Sequence, residues 1–216
     1  MTSRREIFVD DTDPSINYIG SAYKSTLHGT RSDGSLSFAF NGSQVTVYGL
    51  SNVHNDSGVL DPTWECFVDN KSIGNTSSFL GTENHWVFCD QDALLDGPHI
   101  LTVNVTVKNQ QTFWFDNIQY VPSSSVSLEN AAIKLDHRDP ELQYGSGWNP
   151  YLDGTTATFT QTPNSIFTYS FIGVSLSWFS QIPPDLPHAA TVGSYYVDNQ
   201  APIQFSLNGL LSEISG

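Results

Sequence analysis

Three carboxylates fall within four residues, at Asp10, Asp11 and Asp13. Acids at that density have two physical uses. Their oxygens can surround a hard cation, which takes roughly six to eight such ligands. They can also accept backbone N–H groups at a turn, and Asp13-Pro14 marks one, because proline presets φ and aspartate caps the bend. Aromatic side chains are the next chemistry-bearing set. Trp64, Trp86, Tyr23, Trp148 and Tyr151 stand near turns or strand ends. An exposed ring there can stack on a sugar while amides and carboxylates take the hydroxyls. A place in the core is the alternative for each. Trp148, in the loop Trp148-Asn149-Pro150-Tyr151, is the one expected to stand partly exposed. Catalysis has no signature: there is no His-Glu-x-x-His, no Gly-x-Ser-x-Gly and no glycine-rich phosphate loop. A glycosidase needs only two well-placed carboxylates, and 22 acidic residues leave that open.

Charge narrows the partners. The formal net charge is −14, with eight basic residues. So few cations cannot neutralise a nucleic-acid backbone or dock on anionic lipid. No nucleic-acid partner is expected. No run of 18 apolar residues occurs, so a membrane would be reached only through an anchor outside these 216 residues. Met1-Thr2-Ser3-Arg4-Arg5 has the basic start of a signal peptide without its apolar stretch. Asn-x-Ser/Thr sequons stand at Asn41, Asn55, Asn70, Asn75 and Asn104, beside an even pair of cysteines, Cys66 and Cys89. That combination favours the secretory pathway and an extracellular or cell-surface glycoprotein. A Cys66–Cys89 bridge would close a loop whose chain entropy is worth roughly 3 kcal/mol; a pair of free thiols is the alternative.

The elements that must position these groups are strands. Charged residues make up only 14% of the chain, against about 25% ordinarily, and Thr, Tyr, Phe and Val suit pleated, half-buried surfaces. Glu6–Asp10 opens as a strand. Gly34–Phe40 and Gln44–Gly49 alternate with period two, and Asn41-Gly42 between them predicts a hairpin turn that would present the Asn41 sequon. Thr63–Asp69 and His85–Cys89 follow. Leu101, Val103, Val105 and Val107 share one face of a strand over 99–108, with Asn104 on the other. A last strand covers 112–121, where alternation puts Asp116 on the face of Trp114, Ile118 and Tyr120. A carboxylate among apolar side chains needs a partner.

The opening stretch recurs. Val9-Asp10-Asp11-Thr12-Asp13-Pro14-Ser15-Ile16-Asn17-Tyr18 returns as Leu135-Asp136-His137-Arg138-Asp139-Pro140-Glu141-Leu142-Gln143-Tyr144, a constant 126 residues on. Phe171-Ile172-Gly173 echoes Phe40-Asn41-Gly42, and Ser194–Asn199 echoes Glu65–Asn70. The expected organisation is a first domain over 6–122, a linker over 123–132 and a second domain over 133–216. Counterparts of the strands at 99–108 and 112–121 do not appear in the second, which is expected to be incomplete at its C-terminus.

The closing pair, Gly97-Pro98-His99-Ile100-Leu101-Thr102-Val103 and Phe115-Asp116-Asn117-Ile118-Gln119-Tyr120, resembles the end of galactose-binding-like and carbohydrate-binding-module jelly rolls. The layout as a whole resembles a fungal family of secreted or membrane-anchored tandem jelly-roll proteins, through the opening motif at 9–18 and Val68-Asp69-Asn70. The resemblance implies an all-β fold of two tandem jelly-roll sandwiches. It implies a structural calcium held by Asp10, Asp11, Asp13 and Asp116; no cofactor is otherwise required. The expected function is non-catalytic binding of glycan or a cell-surface partner, through Trp148, Tyr151, Trp64 and Tyr23. The alternatives are a carbohydrate-active enzyme using a carboxylate pair and a purely structural ectodomain.

Overall fold

The computed structural model describes residues 5–20, 23–24, 27–180, 183, 185–186, 189–198 and 200–209. Every regular element among them is a β-strand. The chain divides into two units, Met1–Pro140 and Glu141–Gly216.

The first unit contains β1 (Glu6–Asp10), β2 (Asn17–Ile19), β3 (Tyr23–Lys24), β4 (His28–Thr30), β5 (Gly34–Asp56), β6 (Val59–Asp61), β7 (Thr63–Val68), β8 (Lys71–Gly74), β9 (Gly81–Gln91), β10 (Gly97–Thr106), β11 (Phe113–Pro122) and β12 (Ala132–Lys134). All of its named pairings are antiparallel, and β5 organises them. Its first arm pairs with β10 from Gly34 to Gly42 and with β2. Its second arm pairs with β11 on one side and β9 on the other. One layer is therefore β2–β5–β10–β7–β8, and the other β12–β1–β11–β5–β9.

Asn41-Gly42 is consequently not a hairpin turn. Both residues lie inside the 23-residue β5, at the point where the strand passes from one layer to the other. Locally, Asn-Gly favours a turn; here strand partners on both arms outweigh that preference. Gly42 serves close approach instead, since a Cβ there would stand 2.2 Å from the Val121 carbonyl oxygen. Asn41 is half-buried, its carbonyl oxygen accepting Ser123 N and its Oδ1 accepting Ser123 Oγ at 2.7 Å. The sequon at Asn41 is thus not on a turn tip. Asn55, Asn70, Asn75 and Asn104 are exposed, although Asn75 Nδ2 already donates to the Trp64 carbonyl oxygen at 2.7 Å.

The layers meet in one apolar core. Leu36, Phe38, Trp64, Cys66, Leu101 and Val103 from one layer bury against Ile7, Val45, Val47, Phe88, Phe115, Ile118 and Tyr120 from the other. Each fully buried aliphatic or aromatic side chain contributes about 1.5–3 kcal/mol relative to exposure. The period-two expectation for β10 holds: Leu101, Val103 and Val105 are buried while Asn104 is exposed. Cys66 on β7 and Cys89 on β9 form a disulfide with Cα atoms 6.3 Å apart. At the β7–β8 turn, Asp69 and Asn70 both take left-handed φ, 52° and 63°, as a tight two-residue hairpin requires.

The stretch 123–132 is held to the first unit. Ser123 N donates to the Asn41 carbonyl oxygen, and β12 pairs with β1 from Ala132 to Lys134. Arg5 Nε reaches the buried Asp139 carboxylate at 3.2 Å.

The second unit contains β13 (Leu142–Tyr144), β14 (Trp148–Tyr151), β15 (Ala157–Thr160), β16 (Phe167–Tyr169), β17 (Thr191–Tyr195) and β18 (Ile203–Leu207). They form three two-stranded ladders. The sequence echoes reappear as backbone geometry. Asp13 N donates to the Asp10 carbonyl oxygen at 3.0 Å, and Asp139 N to that of Asp136 at 2.9 Å. Tyr18 pairs with Leu36 as Tyr144 pairs with Phe167. Cys66 pairs with Gly74 as Tyr195 pairs with Ile203. Asp69 at φ 52° is matched by Asp198 at φ 53°.

Candidate ligand-binding site

The outward surface of the second layer centres on Tyr48, in the second arm of β5. Both neighbouring strands break register at its level. On β11, Phe115 pairs with Gly49 and Asn117 with Tyr48, so Asp116 is an extra, bulged residue. On β9, the register shifts once between Cys89 and Val87 and again between Trp86 and Glu83. Bulges re-aim side chains that regular pleating would place elsewhere. Gly49 permits both strands to close in, because a Cβ there would stand 2.1 Å from the Trp114 carbonyl oxygen and 2.3 Å from the Phe88 ring.

The bulge corrects the face expected for Asp116. Ile118 and Tyr120 turn into the core with Phe115, while Asp116 stays half-buried outside that alternation. Its partner is Asn117, whose Nδ2 donates to Asp116 Oδ2 at 3.1 Å. Asn117 begins a buried relay. Gln119 Nε2 donates to Asn117 Oδ1 at 2.9 Å, and Lys134 Nζ donates to Gln119 Oε1 at 2.6 Å. Lys134 also lies 5.5 Å from the Tyr48 ring centroid and 3.8 Å from Glu6 Oε2.

On the β9 side, His85 takes φ 56°, a conformation uncommon outside glycine that gathers at functional sites. From there its ring stacks on Tyr48, with centroids 4.2 Å apart and planes within 10°. Trp86 stands beside Phe79 with centroids 5.4 Å apart, and its indole Nε1 is buried without an acceptor among the described residues.

The electrostatics follow from these surroundings. Burial pushes the Asp116 carboxyl above its ordinary range, helped by the Asp10 charge and opposed by Asn117 and His85. Burial also depresses His85, and nearby Lys134 lowers it further. The Tyr48 hydroxyl is pushed up to about 12, first by burial and then by Glu6 and Asp90. At neutral pH the site therefore presents a neutral imidazole and a phenol beside a carboxyl, two amides and an ammonium. Such a set can stack on an apolar sugar face and hydrogen-bond hydroxyls in both directions.

The residues expected from sequence are placed differently. Trp64 is a core residue: it is buried against Phe88 and Phe113, at 4.6 and 5.9 Å, and its Nε1 donates to the Phe88 carbonyl oxygen at 2.9 Å. It is not a surface sugar platform, because its side of β7 faces the opposite layer. Tyr23 lies in β3, and its side chain falls outside the described residues. Trp148 is half-buried against Tyr144 and Phe167. Tyr151, three residues on and on the opposite face of β14, donates its hydroxyl to Asp185 Oδ1 at 2.6 Å.

The acidic cluster is a turn. Asp10 Oδ2 accepts Thr12 Oγ1 at 2.5 Å, and Asp13 Oδ1 accepts both Ser15 N and Ser15 Oγ, at 2.8 and 2.5 Å. Asp11 is buried, and its carbonyl oxygen accepts the Tyr18 hydroxyl. No group of three acids, histidines or cysteines suited to a metal ion occurs among the described residues. No helix there is long and apolar enough to cross a membrane.

Sequence reasoning passed over Tyr48, Asn117, Gln119 and Lys134, and read His85 only as a strand residue. No spacing marks them, because two register shifts assemble them. No family model matches the chain. It is similar to a curated protein of Flavonifractor plautii, described as an A type blood alpha-D-galactosamine galactosaminidase, with 21% identity over 198 residues. The match covers 89% of this chain and 17% of that protein.

Proposed function

We propose that this chain is a non-catalytic, extracellular glycan-binding protein built from tandem galactose-binding-like jelly rolls, and that its first unit holds sugar at the Tyr48 site. The observation that carries the reading is the pair of register shifts flanking Tyr48, which stack the His85 ring on it and put Asp116 on a bulge where its charge acts on His85. A built arrangement of this kind, in a domain with an apolar core to spare for stability, fits recognition better than a purely structural role. Similarity to a protein named as a galactosaminidase supports a carbohydrate ligand and makes amino sugars the first class to try. The disulfide agrees with an oxidising compartment.

The test is binding to an array of galactosamine- and N-acetylgalactosamine-terminated glycans, followed by calorimetry on the best ligand. His85→Gly removes the stacking face and suits the left-handed backbone, so the fold should persist. Aromatic stacking is worth about 0.5–1.5 kcal/mol, which corresponds to roughly two- to twelvefold weaker binding. Absence of any binding across the array, or unchanged affinity in both His85→Gly and Asp116→Asn, would overturn the proposal. One observation favours the enzymatic reading as second choice: burial, with the Asp10 charge adding to it, raises the Asp116 carboxyl above its ordinary value, and a raised carboxyl near a second one is the pairing a glycosidase uses. Release of nitrophenol from an α-galactosaminide that Asp116→Asn abolishes would replace binding with catalysis.

A further inference from the structure

A groove opens on one side of the first unit, between strands of different layers. Ile7 and Val9 on β1 and Phe38 on the first arm of β5 supply its apolar lining. The stretch after β11 runs along it as successive turns. Val126 N donates to the Ser123 carbonyl oxygen at 3.0 Å, and Ala131 N to that of Leu128 at 3.2 Å. Val126 and Ala131 pack against the core, so this wall is anchored. The groove encloses about 540 Å³, a volume in the range of small-molecule sites.

Its charge has one sign. Asp10, Asp13 and Glu129 line it, and no lysine, arginine or histidine does so among the described residues. Asp13 Oδ1 accepts Ser15 N and Ser15 Oγ, at 2.8 and 2.5 Å, while Oδ2 has no donor among the described residues. Glu129 N donates to Ser127 Oγ at 3.2 Å, and its carboxylate also lacks a donor there.

Tyr120 is the independent observation. It is 8% exposed, held between Phe38 and Phe40 with ring centroids 5.8 and 5.5 Å away. It lines the groove, and its hydroxyl has no hydrogen-bond partner among the described residues. A buried phenol ordinarily finds one. Burial raises this hydroxyl above its ordinary value and the Asp13 charge adds to it, which sets the phenol and that carboxylate near each other.

We propose that the groove binds an organic ammonium ion carried on an apolar body. The ammonium offers three donors to acceptors that lack them, the Tyr120 oxygen, Asp13 Oδ2 and the Glu129 carboxylate. The hydrocarbon lies on Ile7, Val9 and Phe38. A neutral apolar ligand would desolvate the carboxylates without pairing them. A bare metal ion needs several converging oxygens, and no group of three acids suited to one occurs among the described residues. The site is separate from the Tyr48 ring stack and does not depend on sugar binding there.

The test titrates the full chain with hexylammonium chloride and follows backbone amide signals by NMR. Signals of residues 10–15 and 126–132 should shift at millimolar ligand, and those of 85–87 should not. Tyr120→Phe removes only a hydroxyl without a partner, so the fold persists, and affinity should fall about tenfold. Glu129→Gln should weaken binding less, by up to about fivefold. Asp92→Asn makes the same charge change at an exposed residue outside the groove and should leave affinity unchanged. Absence of shifts at 10–15 and 126–132, or unchanged affinity in Tyr120→Phe, would overturn the proposal. So would equal shifts with hexanol, which would make the groove merely apolar. Equal shifts with ammonium chloride, or equal weakening by Asp92→Asn and Glu129→Gln, would reduce it to net charge and overturn it too.

Discussion

Replacing Gln119 by Leu should destabilise the first unit by about 1–3 kcal/mol. The side chain is buried, accepting from Lys134 Nζ at 2.6 Å and donating to Asn117 Oδ1 at 2.9 Å. Leucine is of similar size, so little packing is lost. Lys134 is partly exposed and keeps Glu6 at 3.8 Å and solvent, so its loss is small. The cost falls on Asn117, whose buried Oδ1 is left without its donor. Because the chain has two units, the assay must isolate the first, and exchange of β10 and β11 amides in rising urea does so. With an m-value of about 2 kcal/mol per M, the midpoint should fall by roughly 0.5–1.5 M at unchanged slope. Adding Asn117→Ala removes the stranded acceptor, so the double variant should cost less than the sum of the singles. A shift below about 0.5 kcal/mol for Gln119→Leu, or strict additivity in the double variant, would refute the relay as a structural network.

Asp61 is buried and accepts backbone amides from Lys108, Asn109 and Gln111 at 2.7, 2.8 and 3.3 Å. Asp61→Ala should therefore cost about 3–5 kcal/mol and loosen the β10–β11 connection, with Asp61→Asn costing less, measured by denaturation. Replacing both Cys66 and Cys89 with Ala should lower stability by roughly 3 kcal/mol through the entropy of a 23-residue separation, read as a fall in melting temperature. His99 bonds Asp69 Oδ2 through Nδ1 and the Leu95 carbonyl through Nε2, both at 2.7 Å. Burial pulls the imidazole down, but these bonds and the Asp69 and Asp96 charges outweigh it and hold it above its ordinary value. The His99 bond, then that from Ile100 N, holds the Asp69 carboxyl below its ordinary value. His99 thus stabilises fully below about pH 6.5 and loses its contribution as pH rises through its raised folded value. Asp69 contributes above about pH 3.9 and loses its contribution as pH falls through its lowered value. Stability measured across pH should decline on the alkaline side of 6.5 in the native chain, and His99→Gln should flatten that decline.

What was legible in the chain were the features that local periodicity and composition control. Leu101, Val103 and Val105 alternate with Thr102 and Asn104, and a strand is the one element that buries such a set on one face. Asp10 and Asp13 spelled a turn, and Asp136 and Asp139 repeat its hydrogen bond, because an Asp-x-x-Asp-Pro turn is closed by its own backbone. The even cysteine pair became a disulfide. Tertiary pairing decided the rest. Asn41-Gly42 carries a turn's residues, yet it continues β5, since two different strands hold its two arms and Val121 leaves no room for a side chain at Gly42. Trp64 looks like a surface ring until the opposite layer covers it. His85 stacks on Tyr48, and Asp116 leaves the alternation of its strand, where β9 and β11 slip register on either side of Tyr48. A register shift is set by the partner strand, and no residue in the bulged strand announces it.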